Sequence, residues 1–233
     1  MAATDVKEID MKTRNWVLAT IAGLLCVTTA ATAADLKKLG ARPGSKMRIE
    51  GDSTVHKWQV ESKIIGGSLE VGPNFPTEPG QKVEPGKVEA SGLARIDVRS
   101  LQSVKADGSP YEDKMDAKMW SMMKQEEHPR IEYKLTELVL KEPAKSKDAP
   151  YVFDSKGDLK IAGVTKTISM PVNVTPLEDK DKKIKITGTI DLKMTDFNIQ
   201  PATILFAKTE DEVKLIFTWI VAPPSTPAAA VAK

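Results

Sequence analysis

From residue 45 onward apolar and polar residues alternate with a period of two, the pattern of half-buried β-strands. Met47 and Ile49 alternate with Arg48 and Glu50, and His56, Trp58 and Val60 share one face opposite Lys57, Gln59 and Glu61. Ser68–Val71 reads as a short strand after Gly66 and Gly67. Val88–Val98 reads as a long one, with Val88, Ala90, Gly92, Ala94, Ile96 and Val98 on its inner face. After His128-Pro129, Ile131, Tyr133 and Leu135 alternate until Leu138 and Leu140 take over, a change of phase that predicts a bulge near Thr136-Glu137. Tyr151–Phe153 and Gly157–Gly163 follow, then Ile168, Met170, Val172 and Val174 on one face. Ile184–Met194 alternates cleanly, and Val213, Leu215, Phe217, Trp219 and Val221 share the inner face of the last strand.

One stretch breaks the period. Ser109–Lys124 carries Tyr111, Met115, Met119 and Met122/Met123 at helical spacing. Ser109, Pro110 and Glu112 form a start signal with a capping box, and the first-turn acids and Lys124 suit the helix dipole. A methionine-rich helix among strands either packs on a sheet or closes an adaptable cavity. The expectation is that Met115, Met119 and Met122 pack against a barrel end or wall and help form a pocket. Gly72–Gly86, with Pro73, Pro76, Pro79 and Pro85, is a loop, and the charged run Glu178–Lys183 is a solvated hairpin connection.

The count is about eight strands at hairpin spacing plus one helix, which favours an antiparallel barrel or sandwich. The polar outer faces argue against a parallel sheet. The fold class is therefore all-β, with the helix inserted between strands.

The N-terminal part reads differently. Lys12 and Arg14 precede the apolar run Trp16–Val27, and Ala31-Thr-Ala33 follows. That order is a secretory signal peptide cleaved after Ala33, and the run is too short for a good membrane span. Residues 1–10 are polar and acidic for such a position and read as a non-native extension ahead of a start at Met11. The organisation expected is residues 1–10 extension, 11–33 signal peptide, 34–44 linker, 45–222 barrel and 223–233 disordered tail. The location expected is the periplasm or the exterior, with no stable membrane insertion after cleavage.

Composition then narrows the chemistry. The 34 basic and 32 acidic residues nearly balance, which gives no electrostatic case for a nucleic-acid partner. The single cysteine, Cys26, lies inside the apolar leader, so the mature chain has neither thiol chemistry nor cysteine metal ligands. Two histidines, His56 and His128, without nearby acidic spacing make no zinc site, and the carboxylates sit on outward strand phases. An enzyme is not expected, nor a metal or cofactor. His56 is read as inward, either as a polar contact for a ligand head group or as a hydrogen-bonded core histidine; His128 is read as a corner residue.

Several segments resemble the YceI-like family of exported lipid-binding proteins, over most of residues 45–222. Gly157-Asp-Leu-Lys-Ile-Ala-Gly-Val-Thr-Lys-Thr-Ile168 is similar to the family's G-x-L-x-I-x-G-x-T-K-x-[IV] strand pair, and Ser53–Val60 to its early strand. Arg99–Leu101, Asp116–Trp120 and His128–Tyr133 match a further run of the family's pattern. Asp196-Phe-Asn-Ile199 resembles its D-F-G-I turn with Asn198 in place of the glycine. The resemblance implies a lipocalin-like, eight-stranded antiparallel barrel, some members of which hold a polyisoprenoid or similar long amphiphile.

The residues agree with an apolar interior. Trp58, Tyr133, Phe217 and Trp219 face inward beside the small Ala90, Gly92, Ala94 and Gly188, which leaves room next to bulky walls. The ligand-contacting set expected is His56, Trp58, Ala90, Gly92, Met115, Met119, Met122, Tyr133, Met170, Phe217 and Trp219. The leading expectation is a carrier of a long-chain lipid (polyisoprenoid, isoprenoid quinone or fatty-acid-like), with a homodimer left open. The alternatives are a stress-related structural barrel using the outward Leu93, Ile216 and Ile220 as contacts, and a hydrolase acting through His56.

Overall fold

Alternation along the chain turns directly into a closed wall. The computed structural model describes residues 36–111, 114–204 and 207–224. The first stave of the wall is bent into β1 (Lys37–Ala41) and β2 (Lys46–Ser53). The second is β3 (Trp58–Ser62) and β4 (Gly66–Val71); the third is β5 (Gly86–Val88), β6 (Ala90–Asp97) and β7 (Gln102–Val104). β8 (Arg130–Glu142), β9 (Tyr151–Ile161), β10 (Val164–Pro176), β11 (Ile184–Lys193) and β13 (Ala207–Ala222) complete it, and β12 (Thr203–Ile204) only flanks β13.

Every neighbour pair is antiparallel. β1 pairs β4 while β2 pairs β3, and β4 and β3 then pair β6 and β7. β6 pairs β8, and the hairpins continue to β13, which closes the ring against β1 and β2. The result is an eight-stranded antiparallel barrel with one short helix. Residues 37–41, expected as linker, are thus a barrel strand: Leu39 is fully buried and pairs Leu69. The expected bulge is present, since the β8–β9 register shifts between Leu135 and Glu137.

The helix is shorter than its pattern suggested. α1 spans Lys114–Met122. The Ser109 amide and hydroxyl both bond the Asp107 carboxylate, at 2.9 and 2.7 Å, and Pro110 bridges Val104, so Ser109 is a turn residue rather than a cap. Glu112 of the expected capping box lies outside the described residues, as do the leader and the tail from residue 225. The buried stripe is Asp116 and Met123, with Met119 and Trp120 half-buried, whereas Met115 is 50% exposed. Two polar anchors set this rotation. Asp116 Oδ1 accepts from the Ser103 amide at 2.8 Å, and Trp120 Nε1 donates to the Leu101 carbonyl at 3.0 Å. Buried polar groups need partners more stringently than methionines need contacts.

Candidate functional site

The barrel interior is graded from one end to the other. Along β11 the inward side chains pass from Ile184 (0% exposed) and Ile186 (8%) to half-buried Ile190 and Leu192. Along β10 they pass from Val174 and Val172, both buried, through Met170 to half-buried Ile168 and Val164. The tight end is sealed by the proline-rich loop. Phe75 reaches from it into the core, stacks on Phe153 at 5.8 Å between ring centres, and is 1% exposed. The Tyr151 hydroxyl donates to the Gln81 carbonyl at 2.6 Å, and a Lys182–Glu78 ion pair ties the loop to the β10–β11 connection.

Between the ends lies a cavity of about 110 Å³. Its lining comes from across the barrel, including Met47, Ala94, Leu138, Leu159, Ile186 and Leu215. No charged side chain lines it, and its only polar residues are Tyr133, Ser155 and Trp219. The Tyr133 hydroxyl and Ser155 Oγ bond each other at 2.6 Å. Burial raises the Tyr133 hydroxyl above the ordinary tyrosine value, and the bond to Ser155 offsets part of that rise. The pair is therefore neutral at physiological pH.

Five of the expected contacts meet here: Gly92, Tyr133, Met170, Phe217 and Trp219 all line the cavity. The others do not. His56 is exposed in the turn between β2 and β3, where its amide donates to Ser53 Oγ at 3.1 Å. The inward phase read for it fails because β2 ends at Ser53 and β3 begins only at Trp58. Trp58 is half-buried at the wide end and outside the lining, with Nε1 donating to the Asp52 carbonyl at 3.1 Å. Ala90 packs half-buried beside the cavity, next to the strand break at Glu89. Met119 and Met122 pack on the core from outside the lining, and Met115 faces out.

The small residues also act differently from expectation. A Cβ on Gly188 would lie 2.7 Å from the Phe217 ring, and one on Gly92 would lie 2.9 Å from Leu69. Rings and branches rest on these glycines and occupy the room they leave, so the cavity persists beside them and not because of them. Ser155 and Phe75 were missed. Ser155 sits in register between Phe153 and Gly157 on one uninterrupted β9, a period-two signal that was present but polar. Phe75 had no period to reveal it.

Among the described residues no group of three or more His, Cys, Asp or Glu is placed to hold a metal, and no helix is long and apolar enough to cross a membrane.

The class defined by these features is an eight-stranded antiparallel β-barrel with one sealed end and an uncharged, apolar interior. The chain belongs to the YceI-like domain family, whose profile matches residues 45–220. Its fold is similar to that of a polyisoprenoid-binding domain from Saccharophagus degradans implicated in plant cell wall breakdown, at 11% identity and TM-score 0.57, over 81% of this chain and 99% of that one. It is also similar to BcnA of Burkholderia cenocepacia, at 18% identity and TM-score 0.52, over 76% and 95%. At these identities the likeness is one of fold. No curated protein matches the sequence.

The family's motif glycines have local reasons in this chain. Gly163 takes φ +84° in the β9–β10 turn, and the His128 ring lies 2.3 Å from where its Cβ would be. Gly157 lies beneath the Tyr133 ring, with the Lys134 carbonyl 2.4 Å from its would-be Cβ. Asn198 stands at φ 56°, a left-handed conformation that asparagine tolerates better than other side chains, so the D-F-N-I variant keeps the turn.

Proposed function

We propose that the protein binds a long-chain amphiphilic lipid non-covalently inside the barrel and acts as an exported carrier of it, not as a catalyst. The observation that carries this reading is a charge-free apolar cavity in a barrel sealed at one end and graded toward exposure at the other. The Saccharophagus domain of the same fold, described as polyisoprenoid-binding, supports the same ligand class. Burying ten methylenes at ~0.8 kcal/mol each gives roughly 8 kcal/mol before ordering costs.

The closed interior, at about 110 Å³, is smaller than the ~150 Å³ engineered cavity that admits benzene. A long chain therefore enters by widening the half-exposed end. Met47 and Met170 in the lining suit that, since an unbranched thioether repacks at low cost. The structural-barrel reading loses one of its contacts. Ile220 is 8% exposed, covered where the Arg42 amide bonds its carbonyl at 2.8 Å and Ser45 Oγ accepts from its amide at 3.0 Å.

Native mass spectrometry of the purified chain, before and after solvent extraction, tests the proposal. The expected result is an extractable adduct that returns on incubation with lipid and is lost in Ala94→Phe, which fills the cavity. A wild-type protein that carries no lipid and takes up none overturns it.

A further inference from the structure

Trp219 holds a group that the fold leaves unexplained. The side chain lines the cavity and is 7% exposed. Its indole Nε1 is, among the described residues, the one buried side-chain nitrogen or oxygen without a hydrogen-bond partner. Trp58 and Trp120 each place their indole N–H on a backbone carbonyl, at 3.1 and 3.0 Å. Buried indoles ordinarily do so, because an unmade bond in a dry interior is costly. The Tyr133 and Ser155 hydroxyls bond each other, and neither lies within hydrogen-bond reach of the indole nitrogen. A trapped water needs two to four polar partners, and the remaining lining is glycine, alanine, methionine, phenylalanine and branched aliphatics.

We propose that Trp219 Nε1 is the recognition point for a hydrogen-bond acceptor brought by the ligand, and that this acceptor is the oxygen of an uncharged carbonyl on an apolar chain. The inference rests on the carrier reading and specifies its ligand class. An indole N–H only donates, so the ligand must supply the acceptor. No Lys, Arg or His lines the cavity, so a carboxylate or phosphate drawn to this depth would be a buried charge without a counter-ion. A terminal alcohol would accept from Trp219 and leave its own O–H to find a partner in an apolar wall. A carbonyl completes the indole and leaves no donor unpaired. Trp219 stands two residues from fully buried Val221, in the tight half of the barrel, so the carbonyl end is the end that enters first.

The test uses the full chain after solvent extraction, with three probes competing against a fluorescent lipid: geranylacetone, the hydrocarbon with its carbonyl replaced by CH₂, and farnesyl diphosphate. Wild type is expected to bind the ketone about tenfold tighter than the hydrocarbon, as one net hydrogen bond gives. Trp219→Phe keeps an aromatic ring and removes the donor, so the ketone should lose its advantage over the hydrocarbon when both are measured in that same variant. In the unmodified chain the Trp219 indole proton resonance should move downfield on adding the ketone and not on adding the hydrocarbon, a readout independent of how the variant folds. An unmoved resonance, a ketone preference that survives in Trp219→Phe, or a diphosphate that binds as tightly as the ketone overturns the assignment of Trp219. Failure of wild type to bind any of the three chains overturns the carrier reading instead.

Discussion

Gly157 is held to glycine by what lies on it. A methyl group there would meet the Lys134 carbonyl as well as the Tyr133 ring, and a backbone oxygen in a strand pair has nowhere to move. Gly157→Ala is expected to destabilise the barrel by about 1–3 kcal/mol in denaturant unfolding. Gly40→Ala, whose new Cβ meets only the end of Arg42 at 3.7 Å, should stay within about 0.5 kcal/mol. The Tyr133–Ser155 pair gives a second expectation. Tyr133→Phe leaves Ser155, 3% exposed, without its side-chain partner, at a cost of about 1–3 kcal/mol; adding Ser155→Ala should recover part of that loss. Burial also raises the Tyr133 and Tyr151 hydroxyls above the ordinary value of 10.0. The folded state then holds these protons more tightly than the unfolded chain does. Stability from them is fully present below about pH 10 and is lost as pH rises through the raised values. Unfolding measured from neutral pH to about pH 11 should show that decline, and a shallower one in Tyr133→Phe. At this scale the sequence revealed apolar wall positions well, since period two marks them. It did not reveal polar ones such as Ser155, because burial of a hydroxyl depends on a partner two strands' worth of residues away.

The proline-rich loop and α1 are the elements whose roles alternation could not assign. Phe75 plugs the tight end by stacking on Phe153, so Phe75→Ala should cost about 3–5 kcal/mol and speed the loss of bound lipid, as read by thermal unfolding and by dissociation of a fluorescent lipid. A single aromatic in a proline-rich stretch has no periodic signal, which is why the plug was invisible beforehand. The helix is recognisable as a helix, and of the three methionines expected to face the barrel Met119 and Met122 pack on the core while Met115 faces out. Methionine spacing includes Met115 in the packed face, whereas the side chains of Asp116 and Trp120 dock the element on the backbone of Ser103 in β7 and of Leu101 just before it. Asp116→Ala is expected to leave the Ser103 amide without that acceptor and to loosen α1, at about 1–3 kcal/mol, while lipid affinity changes little because no helix residue lines the cavity. Hydrogen exchange at Ser103 reports the first effect and lipid titration the second.

For the molecule as a whole, the eight-stranded closure was legible because each stave carries its own in–out alternation and its own turn signals. The bending of the first three staves was legible only in part, since short strands with half-buried outer faces blur the period. That bending is also what admits residues 37–41 to the wall: β1 extends the first stave beyond Lys46, pairing β13 at Val221 and Ala222 on one side and β4 on the other. The absence of charge in the cavity gives a molecular-scale expectation. Affinity for a neutral lipid should be the same at low and high ionic strength, because there is no ion pair for salt to screen; a strong salt dependence would place the ligand outside the barrel. The sealing of one end by Phe75 and the loop carries a further consequence for traffic. A vessel with a single door cannot pass cargo through itself. Under the carrier reading, whatever hands the lipid over and whatever collects it must use the same rim in turn, never together, and the end of the chain that entered last is the end presented first to the recipient.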